Sequence, residues 1–166
     1  MFAAISFPVD GGDVFGFLGP NGPGKTSTIR VVLDILKPDA GKIRLLNGLT
    51  ARGAIPRVGY LPEERGLLRK EKVSNILRYL GRLRGLSRSE ALDRGLELLH
   101  RVDLYEHRDK KVEALSRGMT QLVQFVVTLI HRPDLIILDE PFAGLDPLNV
   151  QLMKEMLAIE QARGGP

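Results

Sequence analysis

Residues 19–26 read Gly-Pro-Asn-Gly-Pro-Gly-Lys-Thr, a G-x-x-x-x-G-K-T pattern, and no other stretch constrains the fold as strongly. Glycines let a backbone wrap closely around phosphates. A helix starting directly after them aims its free N–H groups and positive dipole end at the same anion. The flanks supply the required order. Residues 14–18 (VFGFL) form a short apolar, β-prone run that predicts a buried strand. Ile29, Val32, Leu33 and Leu36 then recur at helical spacing, predicting a helix that stops before Pro38. Gly19, Pro20, Asn21, Gly22, Pro23, Gly24, Lys25, Thr26 and Ser27 are therefore the candidate phosphate-contacting residues. Lys25 is suited to the β- and γ-phosphates and the Thr26 hydroxyl to Mg²⁺, so the pattern points to a nucleoside triphosphate.

Composition narrows the setting. With 166 residues the chain is long enough for one domain with its own core. It has no cysteine, which excludes disulfides and thiolate metal sites and suits a reducing compartment. No apolar run approaches the ~20 residues needed to span a bilayer, and residues 1–8 lack the basic start of a signal peptide. A net charge of +4 permits contact with anionic lipid or nucleic acid without arguing for either.

Further strands are predicted at residues 4–9, at Ile43 and Leu45 before an Asn47-Gly48 turn, and at residues 58–61. A turn at Asp10-Gly11-Gly12-Asp13 separates the first strand from the one before the glycine loop. Val73, Ile76, Leu77, Leu80 and Leu83 mark an amphipathic helix over residues 73–86. Ser87 and Glu90 make a capping box for a helix running to about His100. Another helix is predicted from Ser116 through residues 120–131, a buried strand at 135–138, and a last helix from Leu148. Strands alternating with helices around a phosphate loop predict an α/β fold. The expected domain is a mixed-sheet core at residues 1–66 and 132–166, interrupted by a helical subdomain at 67–131.

The apolar run at residues 135–138 leads directly into Asp139-Glu140. A strand that delivers a carboxylate beside a phosphate loop is a common way to hold Mg²⁺, the role expected of Asp139. Glu140, one residue further, is expected to polarise a water for attack on the γ-phosphate.

Four blocks in order resemble the ATP-binding subunit of ABC transporters: GPNGPGKTS, the VGYLPEERGL segment at 58–67, LSRGM at 115–119, and LIILDEPFAGLDP at 135–147. They are similar, respectively, to the Walker A loop, the Q-loop, the signature LSGGQ, and Walker B running into the D-loop. The YLPEERGL form resembles the efflux branch. The resemblance implies a P-loop ATPase fold, ATP and Mg²⁺ as ligands, and head-to-tail pairing with a second ATPase subunit. In that pairing Ser116 and the backbone at Gly118 contact the γ-phosphate held by the other copy. It also implies a membrane permease as partner, export as function, a place on the cytoplasmic inner face of the membrane, and no nucleic-acid ligand. Two other readings stand beside it: an ABC ATPase without a membrane partner, or a catalytically incomplete nucleotide-binding fragment.

Four positions depart from the family pattern. Pro23 brings no N–H to the phosphate cradle. Glu63 stands where many relatives have the Q-loop Gln, and a carboxylate is still a Mg²⁺ ligand. Arg117 and Met119 replace a Gly and a Gln of the signature. The resemblance also implies an adenine-stacking aromatic upstream and a switch His downstream. His100, His107 and His131 do not fall where that His belongs and are expected at surfaces or helix ends. The chain is thus expected to be an internal fragment that alone hydrolyses ATP weakly or not at all. Arg78, Arg82, Arg84 and Arg88 are read first as a solvated face, and otherwise as an edge toward anionic headgroups.

Overall fold

The computed structural model describes residues 6–19, 24–64 and 66–164. Helices α1 (Gly24–Val32), α2 (Ala51–Ala54), α3 (Val73–Leu83), α4 (Arg88–Arg101), α5 (Arg117–Leu129) and α6 (Pro147–Gly164) accompany strands β1 (Val58–Leu61) and β2 (Leu135–Leu138). Two compact units result, residues 1–55 with 157–166, and residues 56–156.

In the first unit α1 begins at Gly24, where a helix is expected, but it is short. Asp34 takes a left-handed backbone (φ 59°), and the Ile35 and Leu36 N–H groups both close on Arg30 O. This wound end stops the helix before Leu36, whose side chain is exposed. The predicted strand at 14–18 does not form among the described residues, and Val14 and Leu18 are 81% and 92% exposed. Residues 6–9 are likewise unpaired, and residues 4–5 lie outside the described ones. The turn between them is present, with Asp13 N–H donating to Asp10 O and Gly12 at φ 84°. Rings meet across it in place of a ladder, Phe7 stacking on Phe15 at 4.9 Å and tilting toward Phe17 at 5.8 Å. The strand predicted at Ile43 and Leu45 reduces to a single antiparallel bridge, Leu45 to Leu49, around the expected Asn47-Gly48 turn. Apolar alternation alone does not make a strand; a neighbouring backbone must accept its hydrogen bonds.

The second unit holds the better-formed core. β1 and β2 pair in parallel, Val58 opposite Leu135 through Leu61 opposite Leu138. β2 is half-buried rather than buried, because β1 is its only strand neighbour among the described residues. α3 and α4 form a hairpin. α3 ends at Leu83 instead of 86, since Gly85 turns left-handed (φ 90°) and Leu86 N–H returns to Gly81 O. The predicted capping box opens α4: Ser87 Oγ accepts from Glu90 N–H, and Glu90 Oε2 from Ser87 N–H. The two helices touch closely at Gly81, where a Cβ would lie 2.5 Å from Ala91 Cβ. Ile76, Leu77, Leu98, Leu122 and Phe125 fill the space between α3, α4 and α5.

Polar side chains at helical spacing, on α5 and just past its end, reach β1 and the residues after it. Gln124 Nε2 donates to Glu64 O at 3.1 Å, Thr128 Oγ1 lies 3.3 Å from Tyr60 O, and His131 Nε2 lies 3.2 Å from Val58 O. Gly59 is required here, because a Cβ would sit 2.7 Å from the Thr128 carbonyl. His131 is thus a brace rather than a surface residue. Burial, then the Arg84 charge, hold its imidazole below the ordinary 6.5, with the Val58 bond and Asp134 pulling the other way. The unfolded chain therefore takes up this proton first as pH falls below 6.5. Stability is full above that value and declines as pH drops toward the lowered folded pKa. Urea unfolding at pH 7.5 and pH 5 is expected to show this decline, with His131→Gln flattening it; an equally steep decline in the variant would assign it to other groups.

Candidate nucleotide site

In the first unit, Gly19 and residues 24–27 of the loop are described; Pro20, Asn21, Gly22 and Pro23, with the question of the missing N–H, lie outside the described residues. Lys25, in the first turn of α1, donates from Nζ to Gly19 O at 2.9 Å. Thr26 and Ser27 are half-buried on the same turn. The first N–H groups of a helix have no intrahelical acceptor and suit an anion.

In the second unit, the parallel register brings Glu63 and the Asp139-Glu140 pair to the same, carboxyl, ends of neighbouring strands. Crevices at such ends are where open α/β sheets take ligands. Asp139 is 3% exposed and its N–H is bound to Leu61 O at 2.9 Å. Its Oδ2 is buried without a hydrogen-bond partner. A buried carboxylate oxygen of this kind fits a divalent cation, whose hard oxygen preference it meets. Among the described residues no cluster of three or more His, Cys, Asp or Glu side chains forms. Glu140 is exposed and holds a left-handed backbone, φ 48°, directly before Pro141. Such a conformation costs a non-glycine residue on the order of 1–3 kcal/mol and is concentrated at functional sites. It turns Glu140 out of the line of β2.

Ser116 N-caps α5, its Oγ accepting from Met119 N–H at 3.2 Å, as expected. The start of α5 sits against the segment that opens α6. Asp146 caps α6, accepting from Asn149 N–H at 2.9 Å and Asn149 Nδ2 at 2.6 Å, with Pro147 in the first turn. A Cβ on Gly118 would lie 2.5 Å from Asn149 Nδ2. Arg117 covers Gly144 (φ 70°), its Cζ 3.1 Å from where a Cβ would stand. Asn149, and Arg117 as its neighbour's cover, carried no sequence signal; only Asp146 before Pro147 reads as a cap. Beside them lies a groove of about 380 Å³ lined by Leu67, Arg69, Val112, Glu113, Leu115 and Arg117. Glu63, Asp139, Glu140, Ser116 and Gly118 belong to the second unit, and the described loop residues, Gly19 and 24–27, to the first.

A phosphate-loop helix together with parallel strands ending in carboxylates defines a nucleotide-binding α/β protein, and comparison with known proteins narrows the class. Residues 2–143 match the ABC transporter family. The chain is 42% identical over 153 residues to an uncharacterized ABC transporter ATP-binding protein of Methanocaldococcus jannaschii, covering 92% of this chain and 55% of that one. It is 40% identical over 163 residues to the Nod factor export ATP-binding protein I of Paraburkholderia xenovorans, covering 96% and 54%. A solved ATP-binding subunit of an ABC transporter superposes with a TM-score of 0.78 at 31% identity, covering 89% of this chain and 62% of that structure. The chain belongs to the ABC transporter family, among its ATP-binding subunits. It spans about half the length of the curated relatives it matches. Among the described residues no helix is long and apolar enough to cross a membrane.

Proposed function

We propose that the chain is the ATP-hydrolysing part of an exporter, driving a membrane permease from the cytoplasmic face. The observation that carries this is the parallel β1–β2 register, which sends Glu63 and Asp139-Glu140 out of the same sheet end. Glu140 accepts the proton of the attacking water, an assignment supported by its exposure and its strained backbone beside the buried Asp139. Lys25 neutralises the β- and γ-phosphates, and the loop residues from Gly19 to Ser27 wrap them, through backbone N–H groups at every position except Pro20 and Pro23. Thr26, Asp139 and Glu63 are the Mg²⁺ ligands; the ion, when bound, offsets the charge of the phosphates. Ser116 and Gly118, at the N-terminus of α5, serve the ATP held by a second copy, and this is consistent with the exposure of Ser116. Export is supported by the name of the Nod factor export relative and by that of a linearmycin resistance ATP-binding protein of Bacillus subtilis.

The test is steady-state ATP hydrolysis by the protein alone and in proteoliposomes with its permease. Hydrolysis is expected to rise with the permease and to accompany release of substrate on the far side. A rate indifferent to any permease would favour an ABC ATPase that works without a membrane partner.

A further inference from the structure

The α3–α4 hairpin carries four arginines, Arg78, Arg82, Arg84 and Arg88, within eleven residues. Helices normally offset their arginines internally, and α4 does so: Arg94 and Arg101 both reach Glu97 at 2.7 Å. α3 contains no carboxylate at all. Among the described residues, Arg78 donates to the neutral amide of Asn75, at 3.2 Å. Arg82 and Arg88 take part in none of the ion pairs among the described residues. The two carboxylates flanking the helix are engaged, Glu71 by Asn75 Nδ2 and Glu90 in the Ser87 capping box. More cations bound the N-terminal end, where Lys72 bridges to Lys111 and both are exposed.

Apolar groups stand among these cations. Val73, Ile76 and Leu77 fill the buried face of α3. Asn75, Tyr79, Arg82 and Leu83 fall along the opposite stripe, and Tyr79 and Leu83 are 54% and 65% exposed. A phenol and an isobutyl group four residues apart, with guanidinium groups around them, match the layered chemistry of a bilayer interface. Aromatic and aliphatic groups settle at the acyl boundary, while long cationic side chains reach the headgroups.

We propose that the outward stripe of α3, with Arg88 at the start of α4, docks on a bilayer surface bearing anionic lipid headgroups. Charge complementarity selects the occupant, because this helix presents cations and no carboxylate. Size favours lipid over an acidic protein. A stable protein partner generally needs about 800 Å² of matched surface on each side, and here two apolar side chains on one 11-residue helix stand exposed. A fluid headgroup layer requires no matched shape. The surface uses none of the nucleotide-site residues, so it stands or falls independently of the ATPase assignment.

Co-sedimentation of the protein with phosphatidylcholine vesicles, with and without phosphatidylglycerol, tests it. Binding is expected only with phosphatidylglycerol, and is expected to fade toward 1 M salt, where charges are screened beyond ~3 Å. Each cation near an anionic surface contributes roughly a fivefold gain in partitioning. The double reversal Arg82→Glu/Arg88→Glu should therefore weaken binding by more than roughly tenfold, while Arg82→Lys/Arg88→Lys retains it. Tyr79→Ser/Leu83→Ser should weaken binding to phosphatidylglycerol vesicles at low salt, because the apolar contact is lost while the charges remain. All these side chains are at the surface, so unchanged thermal unfolding is expected and separates docking from folding. Equal binding to neutral vesicles, or indifference to the charge reversal, overturns the proposal. Soluble polyglutamate that displaces the protein from vesicles at matched charge overturns it too, and identifies an acidic protein as the occupant.

Discussion

Glu140→Gln is expected to leave ATP binding intact while lowering turnover by about 10²–10⁴-fold, the usual contribution of a positioned general base. The amide keeps the size and hydrogen-bonding reach of the carboxylate but cannot accept the proton of the attacking water. The backbone favours Glu140 in this role, because β2 ends at Leu138, Asp139 stays buried, and the left-handed step at Glu140 (φ 48°) turns the next side chain outward. A neighbouring carboxylate is the natural competitor. Asp139 is the less suitable base, since its buried, unpartnered Oδ2 is better used on a cation. Single-turnover hydrolysis, with affinity measured separately, distinguishes the cases. A variant that hydrolyses at the parent rate moves the base elsewhere; one that loses affinity and turnover together makes Glu140 a binding residue.

Lys25→Ala is expected to weaken ATP affinity by about tenfold to a hundredfold, since a hydrogen bond to a charged group is worth roughly 1.5–3 kcal/mol. The ammonium already bonds Gly19 O, at the start of the loop sequence, at 2.9 Å. Loss of that local bond is a modest perturbation of α1, and the melting profile should be close to the parent's. Equilibrium titration with a non-hydrolysable ATP analogue measures the effect, and unchanged affinity would remove Lys25 from the phosphate site.

Local chemistry in the chain proved legible, and non-local partnership did not. The Ser87–Glu90 capping box, the Ser116 cap and the Asn47-Gly48 turn depend on residues four or fewer apart, and each is present. The strands at 58–61 and 135–138 were also legible, because apolar runs this short fit a sheet better than a helix. Residues 14–18 read equally well as a strand, yet no described backbone pairs with them, and nothing local carries that information. α2 escaped notice because four residues are too few for periodicity; its only signal is the Thr50 hydroxyl accepting from Gly53 N–H. At the site, the carboxylates and the Ser116 cap were readable as residue types. The fit of Gly118 against Asn149, and of Arg117 over Gly144, depends on segments about thirty residues apart meeting in space. The α5 stripe of Gln124, Thr128 and His131 was readable in principle, since polar residues at helical spacing inside an apolar run ask for partners.

In the proposed function, ATP is held between the loop of one copy and the Ser116 region of another. Sedimentation velocity of the Glu140→Gln protein with Mg²⁺ and either ATP or ADP tests it most directly. Ligand that binds only across two copies must favour the dimer by mass action. The expected result is a dimer with ATP and a monomer with ADP. A monomer under both conditions, or equal dimerisation with ADP, would contradict the account.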